Sequence, residues 1–311
     1  IGFEVAKSLL AAPTDKTGGS PVFVFVGCRS ASAGEGAVAA LAASLGPDVT
    51  ERVRHVVLDV TSPSARSAAI KAVGDETRER CGEARLDILV NNAGILLEAG
   101  DEASDKAWAD DKRAVTTETL NVNFDALVDV TISCLPLLER SQRAKIISTS
   151  SGCGTRMLGQ LLPDDRARLA SPALGLEDLR ERVGDIAAAI CHDAPPAGEE
   201  GARCRQYQAI ATPAYGLSKL AVNCYTQIVA RDFPSIQCNA ASPGFTNTGM
   251  CANYTGKRVP KEPALGASVF LPALFGAAGL PTQRTATFFK EASQPGTRPE
   301  DATCKAEGWV A

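Results

Sequence analysis

Leu86-Asp87-Ile88-Leu89-Val90-Asn91-Asn92-Ala93-Gly94 is a short apolar run that stops abruptly at two asparagines and a glycine. Apolar residues on both of its faces read as a strand covered above and below, and strands of that kind belong to parallel sheets. Similar runs flank it. Val22 to Val26 and Val53 to Val60 come before; Lys145 to Ser150, Ile236 to Ala241 and Thr285 to Phe289 come after. Segments of helix length separate them. Ala33 to Leu45 stops at Gly46-Pro47, and Ser64 to Cys81 follows the helix start Ser62-Pro63. Thr117 to Arg140 carries Leu120, Phe124, Leu127, Val128 and Ile132. Tyr215 to Phe233 places Leu217, Leu220, Ala221, Cys224 and Ile228 on one stripe.

This alternation predicts an α/β fold, a doubly wound parallel sheet forming a single domain over residues 1–311. The stretch from about 155 to 207 interrupts it. That stretch is charged, has a short helix suggested by Leu179, Val183, Ile186 and Ile190, and then loops through Pro195 to Gly198. It reads as an insertion above the sheet rather than a second domain.

Composition narrows the function. The 311 residues are 45% hydrophobic and 22% charged, a globular balance. A net charge of −4 and a pI near 5.4 supply no basic field for nucleic acid or anionic lipid. Aromatics at 5% offer no base-stacking platform. The ten cysteines include no C-x-x-C pair, and His55 and His192 are the only histidines, so no zinc-type spacing exists. The thiols read as reduced and mostly buried, as in a cytoplasmic enzyme. Pro263 to Pro281 lacks charge but contains Gly266, Pro272, Gly276 and Gly279, so it is expected to be core helix and loop rather than a membrane span.

In a doubly wound sheet, ligands bind beyond the carboxyl ends of the strands. The loops there hold Gly27-Cys28-Arg29-Ser30, Asp59, Asn91 to Gly94, Ser150-Ser151 and Pro243-Gly244. Tyr215 and Lys219 are one helical turn apart and share a face. Alone the pair is a weak signal. Here it opens a helix, follows a strand ending in Ser150-Ser151, and is preceded by Asn123 in a helix and by Asn-Asn-Ala-Gly at a strand end.

Four matches in that order resemble the short-chain dehydrogenase/reductase family, in particular its carbonyl reductase branch, from Ile1 to about Glu291. The resemblance implies a Rossmann-like fold with a helical insertion before the tyrosine, and a monomer. The chain opens at Ile1-Gly2, which look like the last letters of the family's glycine loop. The N-terminal strand and most of that loop are therefore expected to be missing, and with them any view of a targeting peptide.

The resemblance also assigns roles. Tyr215 is the general acid, with a reference pKa near ~10 that a neighbouring ammonium lowers. Lys219 is that ammonium and also binds the nicotinamide ribose. Ser151, the second serine of its pair, donates to the carbonyl oxygen, and Asn123 holds a water that links Lys219 to solvent. Cys153 is read as a small packing residue or, alternatively, a pocket thiol. For the cofactor, relatives specific for NAD carry a carboxylate where Cys28 stands; Arg29 follows it and suits a 2′-phosphate, so NADP(H) is expected. Asp59 lies near the adenine, and Asn91, Ala93 and Gly94 near its ribose. Pro243, Gly244, Thr246 and Thr248 lie beside the carboxamide. The implied activity is NADPH-dependent reduction of a small-molecule ketone, aldehyde or quinone. Two alternatives stay open: NADP-dependent oxidation of a specific alcohol, and a non-catalytic nucleotide-binding relative.

Overall fold

A computed structural model describes residues 1–17, 19, 21–98, 102–251, 254, 257–276, 285–291 and 304–308. The strands in chain order are β1 (Val24–Cys28), β2 (Val53–Val57), β3 (Ile88–Asn91), β4 (Lys145–Thr149), β5 (Gln237–Ser242), β6 (Thr287–Glu291) and β7 (Cys304–Gly308). β1 and β2 pair in parallel, and β3 through β6 form a parallel ladder in sequence order. β7 adds an antiparallel edge that the sequence reading did not foresee. Among the described residues no ladder joins β1 to β3. The interruption is compatible with the expectation that the family's first strand is missing.

Between the strands run α1 (Gly2–Leu10), α2 (Ala31–Leu45), α3 (Pro63–Cys81), α4 (Glu102–Asp110), α5 (Lys112–Leu120) and α6 (Ala126–Leu138), then α7 (Gly152–Gln160), α8 (Pro163–Leu169), α9 (Leu176–Ile190), α10 (Glu199–Gln208), α11 (Pro213–Asp232), α12 (Pro263–Ser268) and α13 (Leu271–Phe275). Local chemistry sets several ends. Ser62 accepts the Ala65 N–H ahead of Pro63, and Gly82 closes α3 in the left-handed region at φ 77. β1 begins two residues later than its apolar run because the ladder starts at Val24↔Val53. Phe23 stays outside the ladder, edge-on to Phe25 and under the Arg80 guanidinium at 3.9 Å.

Adjacent residues of β4 show how the sheet is covered on both faces. Ile146 belongs to the buried cluster that holds Phe124, Leu127, Leu138, Leu217 and Leu220, whereas Ile147 belongs to the one that holds Val5, Leu9, Leu41, Phe270 and Phe289. The run Lys112–Leu138 is long and apolar enough to cross a membrane by length and composition. Its apolar face is used here, because Phe124, Val128, Leu135 and Leu138 are buried in the first of these clusters. A π-turn, Asn121–Asp125, breaks what the sequence suggested was one continuous helix.

The insertion is more helical than its periodicity implied. It contains α7 to α10, and Leu179, Val183, Ile186, Ile190 and Tyr207 join the same buried cluster as α11. A polar clasp fixes it: the Tyr207 hydroxyl donates to Asp165 Oδ2 at 2.5 Å, and Arg203 Nε donates to the same oxygen at 3.1 Å. The described part of the uncharged 263–281 segment forms α12 and α13; residues 277–281 of it, and Trp309, lie outside the described residues. Cys134, Cys191, Cys204, Cys224 and Cys238 are buried thiols, as expected.

Candidate active site

β4 ends at Thr149, and the next two serines part company. Ser150 is buried; its hydroxyl donates to Asn223 Oδ1 at 2.5 Å and lies 3.3 Å from the Lys219 carbonyl oxygen. Ser151 starts α7 as its N-cap, accepting the Cys153 N–H at 3.2 Å. Its side chain lies close enough to the Tyr215 hydroxyl to favour the phenolate. The alternation at a strand end thus sends one serine into the α11 packing and the other to the tyrosine.

Tyr215 is in the first turn of α11 and is part-exposed. Burial holds the phenol well above its ordinary pKa, with Ser151 pulling the other way. The sequence reading expected Lys219 to lower it instead. Lys219 is fully buried one turn on, its Nζ donates to the Thr149 carbonyl at 2.9 Å, and it lies 5.6 Å from the Tyr215 ring centroid. Burial pushes its own pKa down to about 8. In this structure desolvation is the largest influence on both groups.

The loop after β3 closes the other side. A Cβ on Gly94 would lie 3.2 Å from Asn123 Oδ1 and 3.5 Å from Lys219 Nζ, so a bare backbone is what lets the loop come this close. Asn123, in the π-turn, accepts the Ile95 N–H at 2.8 Å and donates through Nδ2 to the Ile95 carbonyl at 2.9 Å and Ser218 Oγ at 3.0 Å. Both amide protons are engaged, and one lone pair of Oδ1 remains on the Lys219 side. Asn91 turns its side chain inward to Thr131 Oγ1 at 2.9 Å, leaving its backbone at the strand end, while Ala93 is exposed.

The nucleotide side is more open. Arg29 is exposed just beyond β1. The Asp59 carboxylate accepts the Thr61 N–H at 2.9 Å and hydroxyl at 2.7 Å, which, with Arg29 and Arg66 nearby, hold it below the usual carboxylate range. Asp59 therefore also shapes the turn into α3. Gly244 takes φ 72, and Thr246 is buried with its hydroxyl donating to the Pro243 carbonyl at 3.1 Å; Thr248 Oγ1 reaches the Thr246 carbonyl at 3.4 Å. A Cβ on Gly266 of α12 would sit 2.6 Å from Thr246 Oγ1 and 2.8 Å from the Ile1 side chain. The start of α1 and the segment after β5 thus meet at one point.

Sequence reasoning missed three residues here. Arg156 Nη2 lies 3.0 Å from Cys153 Sγ, next to the serine that caps α7. Gly154 meets the Lys219 peptide directly. Glu98 accepts backbone N–H groups at the start of α11. None of the three sits in a motif; Gly154 and Glu98 act across elements that only the tertiary fold brings together.

The profile of the short chain dehydrogenase family matches residues 1–161. The (+)-neomenthol dehydrogenase of Arabidopsis thaliana is 28% identical over 261 residues, 80% of this chain and 80% of that protein. Salutaridine reductase of Papaver bracteatum is 28% identical over 300 residues, covering 84% and 85%. Among solved structures, the menthone neomenthol reductase of Mentha piperita superposes with a TM-score of 0.66 at 23% identity, covering 93% of this chain and 94% of that one.

Proposed function

The chain belongs to the short-chain dehydrogenase/reductase family, an oxidoreductase family that uses NAD or NADP, and from that premise we propose that it reduces ketones, aldehydes or quinones with NADPH, Tyr215 acting as general acid. The observation that carries this reading is the convergence of three groups: Ser151 at the start of α7, close enough to act on the Tyr215 hydroxyl, and Tyr215 one turn from the buried Lys219, whose Nζ lies 5.6 Å from the tyrosine ring centroid.

The residues present fit the nucleotide. Gly94 leaves a bare backbone beside Asn123 and Lys219, and Arg29 offers an exposed guanidinium at the end of β1. NADPH, when bound, supplies the hydride. Arg29 would pair with the 2′-phosphate, Lys219 would bind the nicotinamide ribose, Asn91, Ala93 and Gly94 would lie along the adenine ribose, and Asp59 would be nearer the adenine. Pro243, Gly244, Thr246 and Thr248 would lie along the carboxamide side. Ser151 donates to the substrate oxygen as negative charge gathers there. Tyr215 then gives that oxygen its proton. Lys219, charged below about 8, restores the proton through a water held at Asn123 Oδ1.

Relatives named as a reductase and as a dehydrogenase support an alcohol–ketone pair run in either direction. Comparing turnover of NADPH plus ketone with NADP plus alcohol decides the favoured one. α7 and α9 cover α11, which supports a monomer. The test of the whole reading is NADPH oxidation with a panel of ketones, aldehydes and quinones; no turnover on any of them refutes it. A narrower prediction concerns Arg29. A bidentate guanidinium–phosphate pair is worth about 1.5–3 kcal/mol. Arg29→Ala should therefore raise KM for NADPH by roughly 10- to 100-fold while changing KM for NADH less than about threefold. Equal effects on the two cofactors would show that Arg29 does not touch the phosphate.

A further inference from the structure

The first turn of α11 is capped from outside its own segment. Thr212 holds the N-cap position in the left-handed region at φ 52, and its hydroxyl turns to the Ala211 carbonyl at 2.7 Å, away from the helix. The helix amides still need acceptors. Glu98, 116 residues earlier, supplies them: Oε2 accepts the Ala214 N–H at 2.9 Å, and Oε1 accepts the Tyr215 N–H at 2.6 Å. Only 5% of Glu98 is exposed.

A buried carboxylate is a costly way to cap a helix, since a serine or threonine in the usual N-cap conformation does the job locally. What the remote cap adds is a bond between two elements. The loop after β3 starts at Gly94 beside Lys219, is clamped at Ile95 by Asn123, and reaches α11 at Glu98. On the helix side, Ser218 Oγ donates to the Tyr215 carbonyl at 2.8 Å and accepts from Asn123. Tyr215 is thus held by its own N–H and its own carbonyl, both tied to the same loop.

We infer that Glu98, as a carboxylate, is the positioning residue that locks the first turn of α11 to the loop after β3 and so keeps the Tyr215 hydroxyl at Ser151. This rests on Tyr215 being the proton donor. Burial pushes the Glu98 carboxyl up to about 7, against the pull of its two amide partners. The titratable side chains on the α11 turns it meets are Tyr215 and Lys219; the loop from Asn92 to Leu97 has none, and among the described residues no charged side chain enters the balance. Ionised, each oxygen accepts one N–H. Protonated, one oxygen becomes a donor and its hold on an amide weakens. Acidification through about 7 therefore loosens the turn that carries Tyr215.

The experiment compares wild type, Glu98→Gln and Glu98→Asp for kcat and KM against pH, together with amide exchange at Ala214 and Tyr215. In wild type, kcat should fall about tenfold as pH drops through the Glu98 transition, towards a Glu98→Gln level that is flat over the same range. KM for NADPH should stay within about twofold. Glu98→Asp, which keeps a carboxylate, should restore the acid limb. Amide protection at both residues should drop about tenfold in Glu98→Gln, and in acidified wild type after correction for intrinsic rates. A Glu98→Gln protein that keeps the wild-type acid limb overturns the inference, as does unchanged protection at the two amides. If wild type turns over no carbonyl at all, the proposed function fails, and the exchange data still judge Glu98 alone.

Discussion

Tyr215→Phe should lower kcat for NADPH-dependent carbonyl reduction by about 10²–10⁴-fold, the range usual for a positioned general acid, while KM for NADPH stays within about twofold. The substitution removes one oxygen and leaves the ring. The residue is part-exposed and the α7–α11 crossing is made at Gly154 and the Lys219 peptide, so the packing of the two helices does not depend on the hydroxyl. What is lost is the proton. A phenol keeps its proton at neutral pH even at its ordinary value near ~10, so the wild type carries a full complement of acid. Ser151 remains as a donor and keeps part of the charge stabilisation, which is why a residual rate is expected rather than none. Stopped-flow NADPH oxidation with the best ketone of a panel measures the drop. A Tyr215→Phe enzyme within threefold of wild type would remove the tyrosine from the reaction.

Burial explains how much of the site was legible beforehand. Strand–helix alternation and the order Asn123, Ser151, Tyr215, Lys219 can be read from one dimension, because each residue sits at a fixed place on its own element. The proton affinities cannot. Charge proximity alone suggested that Lys219 lowers the Tyr215 pKa, yet desolvation of both groups sets the direction in the folded chain. Boundaries shifted for similar reasons. Val22 and Phe23 have strand-like side chains but no ladder partner, since β2 begins at Val53. The helical content of residues 152–170 was missed because its turns are too short to show a period, and they are held by the Tyr207–Asp165–Arg203 clasp. β7 pairs with β6 at an edge, where no apolar run announces it.

Gly154 offers the strictest test of how the two halves of the site are held together. α7 crosses α11 with Gly154 against the peptide of Lys219, where a Cβ would lie 2.7 Å from the Lys219 carbonyl carbon and 2.8 Å from the Leu220 nitrogen. Both obstacles are backbone, so no rotamer change relieves them; the helices must separate. Ser151 caps α7 and Tyr215 rides on α11, so separation pulls the hydroxyls apart. Gly154→Val should cost about 1–3 kcal/mol of stability through overpacking. It should also lower kcat at least about 10²-fold, the penalty of a displacement near 1 Å at a reacting centre. Gly159 lies on the same helix with nothing within 4 Å of its Cβ position, and Gly159→Ala should raise stability by about 0.4–1 kcal/mol with unchanged kcat. Chemical denaturation and steady-state rates on the two variants separate a general effect on α7 from one specific to the crossing. A Gly154→Val protein with wild-type stability and rate would mean that α7 and α11 do not meet through this glycine, and that the placement of Ser151 beside Tyr215 is fixed by other contacts.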